Sequence, residues 1–100
     1  MSWITTAGNN KLDYLNPDPR QITIEDIATG ISNTPRWAGQ IERFYSVAEH
    51  SLLTEFLYSV TTENFDVNVA KSLLLHDATE AYMCDIPRPL KQLIPSYISI

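Results

Sequence analysis

Cysteine is nearly absent from this chain, with Cys84 as its single example. One thiol excludes an internal disulfide framework and any cysteine-rich zinc site, and it fits a reducing, cytoplasmic compartment. Basic residues are also scarce: seven Lys and Arg stand against twelve Asp and Glu, giving a net charge of -5. Without a basic stripe, nucleic acid is not expected as a partner, although a single small anion can still be held locally. No apolar run approaches the about 18 residues of a membrane span. The opening "MSWITTAGNN" also lacks the basic-then-apolar order of a signal peptide. No membrane partner is therefore expected. Repeats and low-complexity tracts are missing too, and histidine occurs only twice, at His50 and His76.

What remains is an ordinary globular composition, 44% hydrophobic over 100 residues, which sets the expectation of one domain, residues 1–100. A domain this small buries a smaller share of its surface than one of roughly 150 residues, so a large cleft would consume much of its core. Residues 1–22 are polar and turn-rich, with two prolines in "NPDP", and read as an extended or looped N-terminal arm in which a strand pair is possible. "TIEDIATGIS" offers Thr23 as an N-cap and sets Ile24, Ile27, Ala28 and Ile31 at the spacing of one helix face. A loop follows, with a brief helical turn after Pro35.

The next helix opens on "SVAE", a capping box that assigns Glu49 to the backbone of Ser46 rather than to catalysis. Its body places Leu53, Phe56, Leu57 and Val60 on one stripe, with His50 on the flank facing partly inward. A third helix, capped by Asn64 or Asp66, is expected from about Val67 to Met83. On it Val69, Leu73, His76 and Glu80 form one row, and Ala70, Leu74, Asp77 and Ala81 the adjacent one. Pro87 and Pro89 break that helix, and Leu90 to Ile94 begin another before Pro95.

The run "LLLHDATEAYMCDI" therefore carries three titratable groups on a side built for burial, and burial of such groups requires a partner. His76 and Asp77 are neighbours on a helix, so their side chains diverge by about 100 degrees. That angle is too wide for a direct pair but suits a grip on one ion, and imidazole nitrogen with carboxylate oxygen suits a divalent transition metal or magnesium. Glu80, one turn on, can orient a bound water or accept its proton. For either histidine alone, a core imidazole bonded to a backbone carbonyl is the simpler explanation. Four inward-facing titratable groups together favour a site. In "TPRWAG", Arg36 and Trp37 admit two readings: an exposed cation beside a packed indole, or a guanidinium fork for phosphate with the indole stacking on a base or sugar. Arg88 is held stiffly between two prolines, and Cys84 reads as a packed small apolar residue.

"RFYSVAEHS" followed by "LLLHDATEAYMCDIPRPLK" resembles the HD-domain metal-dependent phosphohydrolases. The branch of 5′-deoxynucleotidases and phage-type deoxynucleoside triphosphohydrolases is the most similar, and "MSWITT", "IEDIA" and "RW" share its look. The resemblance implies an all-α HD-domain helical bundle in which His50, His76 and Asp77 ligate a divalent ion of the Co, Mn, Zn or Mg class. It implies that Glu80, with Asp77, activates the attacking water and that Arg36 binds the substrate phosphate. Trp37 and the segment from Pro87 to Pro89 would line the nucleoside pocket. The expected substrate is a small-molecule deoxynucleotide, and a homo-oligomer is expected. A cyclic-nucleotide phosphodiesterase fits "RW" and "DIPRP" less well. The family's metal site is completed by an aspartate from a later helix, and Asp85 follows Asp77 too closely to be that ligand. The ending "PSYISI" accordingly sets the expectation of a domain truncated on its C-terminal side. A catalytically silent nucleotide-binding or oligomerisation module is the alternative.

Overall fold

The computed structural model describes residues 2–94. Two strands, β1 (Trp3–Thr5) and β2 (Lys11–Asp13), pair antiparallel with Trp3 opposite Asp13, Ile4 opposite Leu12 and Thr5 opposite Lys11. The expected all-α bundle is corrected by this sheet: the chain is mixed, a helical body carrying a β-hairpin. The hairpin forms because its turn is clamped from outside. Buried Asp26 accepts hydrogen bonds from Thr6 Oγ1 (2.6 Å), the Gly8 backbone N–H (2.7 Å) and Asn10 Nδ2 (2.8 Å). That clamp lies 16 to 20 residues away along the chain, beyond the reach of any local pattern.

Helix α1 (Ile24–Asn33) starts where Thr23 Oγ1 accepts the Asp26 N–H, and it buries Ile31. A short 3₁₀ turn follows at Arg36–Gly39, and the loop containing it is closed at its base by backbone bonds from Arg36 N to Tyr45 O and from Val47 N to Thr34 O. Helix α2 (Val47–Thr61) begins on the complete capping box of Ser46 and Glu49. Asp66 caps α3 (Val67–Leu75) by accepting the Asn68 N–H. Two short helices complete the described chain, α4 (Glu80–Met83) and α5 (Arg88–Lys91). The expected final helix thus begins earlier than Leu90, while Pro95 and the "PSYISI" ending lie outside the described residues.

The third helix is not continuous to Met83. After Leu75 the backbone tightens into i→i+3 bonds, Ala78 N to Leu75 O and Glu80 N to Asp77 O, both 3.0 Å. The cause is local: His76 Nδ1 lies 2.6 Å from the Leu73 carbonyl, the acceptor that Asp77 N–H would use in a regular helix.

Packing joins α2 to α3 and to α1, and α1 to α4. The α1–α4 crossing depends on Gly30, where an added Cβ would stand 2.6 Å from the Ala81 Cβ. Leu12, Ile31, Val47 and Ala70 form the buried apolar core. The expected core stripe of α2 is corrected: Leu53, Phe56, Leu57 and Val60 are all exposed, Phe56 by 57%. No other element among the described residues lies over that face to cover it. Cys84 is likewise exposed rather than packed. Among the described residues, no helix is long and apolar enough to cross a membrane.

Candidate active site

The tightened turn after α3 decides the geometry of the site. It brings His76 Nε2 to 3.0 Å from Asp77 Oδ2, so the two neighbours do meet, against the expectation from regular helical spacing. His50, reaching in from the first turn and a half of α2, places Nε2 3.6 Å from the same oxygen. The two imidazole rings are tilted at 55° with centroids 5.3 Å apart. One donor atom each from His50, His76 and Asp77 falls within 4.8 Å of the others, close enough to converge on one ion.

The donor set fits a cation. Both ring nitrogens of His76 face oxygen acceptors, Leu73 O at 2.6 Å and Asp77 Oδ2 at 3.0 Å. A neutral imidazole donates through one nitrogen only, so the second contact needs a proton or a metal ion between nitrogen and oxygen. With Nδ1–H donating to the backbone carbonyl, Nε2 keeps its lone pair directed at the cluster, the usual arrangement of a ligating histidine. At His50, burial and then the Arg36 charge push the imidazole below its ordinary value, against the opposing pull of Asp77, which favours the neutral ring with an available lone pair.

Glu80 opens α4, one turn beyond Asp77. It is buried, its Oε2 has no hydrogen-bond partner, and its carboxyl is pushed up to about 7, first by burial and then by the negative charges of Asp77 and Asp85. A carboxyl poised near neutrality can take a proton from water and return it. Arg36, Trp37, Asp77, Glu80, Asp85, Arg88 and Pro89 all line one open cleft of about 410 Å³, within the size range of small-molecule sites.

The burial of Arg36 and Trp37 is the reverse of an exposed cation beside a packed indole. The guanidinium is the more buried partner, with its side chain 24% exposed, whereas the indole is 55% exposed. Trp37 stacks on Tyr45 at 5.9 Å, and the Arg36 guanidinium sits 5.1 Å from the indole centroid. Trp37 and Ala38 both have left-handed backbone, at φ 53° and 54°. Every residue singled out from the sequence as a ligand, acid, base or substrate contact thus lies at this cluster and cleft. Asp85 was not singled out for any role. It pairs with Arg36 across 49 residues, a distance in sequence that leaves no local signal.

No protein-family model matches the chain. It is 43% identical over 97 residues, 97% of its length, to the uncharacterized protein YfdR of Escherichia coli K12, and covers 51% of that protein. It is 40% identical over 95 residues, 93% of its length, to the uncharacterized protein RCAP_rcc00048 of Rhodobacter capsulatus, covering 48% of it. The chain therefore spans about half the length of the curated relatives it matches.

Proposed function

We propose that this chain carries the metal-binding and phosphate-binding part of a metal-dependent phosphohydrolase acting on deoxynucleotides. The observation that carries the reading is the convergence of His50, His76 and Asp77 beside a cleft that also holds a near-neutral buried carboxyl and a guanidinium. A divalent ion held there would acidify a bound water and polarise a phosphoryl oxygen. Glu80 takes the proton of the water that attacks phosphorus. Arg36 neutralises charge on the phosphoryl oxygens as the phosphorus–oxygen ester bond breaks, and the departing oxygen takes up a proton. The exposed Trp37 indole offers a stacking surface for a base or sugar, and Pro89 walls the same cleft. The products are a deoxynucleoside with phosphate from a monophosphate, or with triphosphate from a triphosphate. The resemblance to HD-domain phosphohydrolases narrows the substrate to deoxynucleotides, the low cysteine content supports a cytoplasmic setting, and the bare α2 stripe supports a homo-oligomer.

The test is metal-dependent release of phosphate or triphosphate from a deoxynucleotide panel. His76→Ala and Asp77→Ala should each abolish release, and hydrolysis surviving either change would sink the site. One observation favours a catalytically silent module instead: among the described residues the cluster offers three donors. Three protein donors with an open position also describe catalytic metal centres, so metal content separates the two readings. The enzyme retains close to one ion per chain on gel filtration, and the silent module does not.

A further inference from the structure

The guanidinium of Arg36 is held in an unusual way. Asp85 Oδ2 accepts from Nη1 at 3.4 Å, a single long contact, and both side chains are largely shielded, 24% and 13% exposed. The Nε of the same guanidinium is buried and has no hydrogen-bond partner. An unmet buried N–H is costly and calls for an acceptor. The Trp37 ring lies beside the group at 5.1 Å, so the guanidinium is restrained by the indole as well as by Asp85. With Nη1 held by Asp85, the guanidinium stays at the cleft that Arg36 lines, a permanently charged donor group suited to phosphate.

The backbone on both sides of the pair is strained. Arg36 precedes the left-handed residues Trp37 and Ala38, and Asp85 follows Cys84 at φ 66°, ψ 166°, a conformation otherwise left to glycine. Strain of this kind persists only where surrounding structure enforces it, and it gathers at functional sites. Both segments line the cleft that holds Glu80.

The geometry points to Asp85 as a positioning residue that fixes Arg36 by its Nη1 and so holds the guanidinium at the cleft for an oxyanion. The inference rests on the phosphohydrolase reading and adds a residue to it. It also fixes a sign. A carboxylate close to a phosphate repels it, so simple electrostatics makes removal of Asp85 tighten anion binding, whereas positioning makes removal weaken it.

The experiment is calorimetric titration of the full chain with inorganic phosphate. Asp85→Ala should weaken phosphate binding about tenfold, the scale of one charge-assisted hydrogen bond, and Asp85→Asn, which keeps an acceptor oxygen, should restore binding to within about threefold. In an Arg36→Ala background, Asp85→Ala should have no further effect. Unchanged or tighter binding by Asp85→Ala overturns the proposal, as does equal loss in both backgrounds. Where circular dichroism shows Asp85→Ala unfolded, Asp85→Ser takes its place, and unfolding of both makes the residue structural and overturns the proposal. Equal phosphate binding by the wild type and Arg36→Ala instead defeats the phosphate role of Arg36 itself, leaving the two failures distinguishable.

Discussion

At the scale of the residue, Glu80 has the clearest physical consequence. Burial, with the Asp77 and Asp85 charges beside it, pushes its carboxyl in the folded chain up to about 7 from an ordinary 4.5. Below the ordinary value both folded and unfolded forms are protonated and the burial carries no penalty. As pH rises from about 4.5 to 7 the unfolded chain releases its proton first, and folding loses on the order of 3 kcal/mol from this group. His50, held below its ordinary value, acts in the opposite sense and costs stability as pH falls. The difference between wild type and Glu80→Gln isolates the carboxyl. In chelator, denaturant melts should show the glutamine variant gaining on the wild type between pH 5 and 8. With metal restored, the same variant should keep its ion and lose about a hundredfold or more in turnover, the scale of a missing general base. The nearness of His76, Asp77 and Glu80 was legible because they are neighbours in sequence. The direct His76–Asp77 contact was not, because it depends on the tightened turn after Leu75. Nor was Asp85, because only the fold brings it to Arg36.

Among the elements, α1 and α4 set the position of Glu80. Gly30→Ala should raise the intrinsic helix propensity of α1 by about 1 kcal/mol. The new methyl meets the Ala81 Cβ at 2.6 Å and its backbone at 2.7 Å, atoms that cannot swing aside. Overpacking of that kind costs about 1–3 kcal/mol, so net destabilisation is expected in thermal melts, together with weaker activity as α4 and Glu80 move off the cluster. Helices α1, α2 and α3 were readable from caps and spacing because Thr23, Ser46 with Glu49, and Asp66 act on their own neighbours. The hairpin was readable only as a possible strand pair and the break after Leu75 was hidden, for different reasons. One depends on Asp26 reaching back to residues 6–10, and the other on His76 competing for the Leu73 carbonyl.

For the whole molecule, the radius of gyration is 15.0 Å, larger than the roughly 13 Å of a compact 100-residue domain. The excess agrees with a thin core and an uncovered α2 face, on which Leu52, Leu53, Phe56, Leu57 and Val60 are all about half exposed or more. A contiguous apolar patch of this kind drives association. Sedimentation should show concentration-dependent self-association that Phe56→Glu suppresses, with a change in stability within about 0.5 kcal/mol because the side chain is already in water. The cluster of His50, His76 and Asp77 is the point on which the functional account turns. Its most direct test is titration with Mn²⁺ followed by electron paramagnetic resonance. About one ion per chain should bind, with binding lost in both His76→Ala and Asp77→Ala and retained in Glu80→Gln. Binding that is absent from the wild type, or indifferent to both ligand changes, would contradict it.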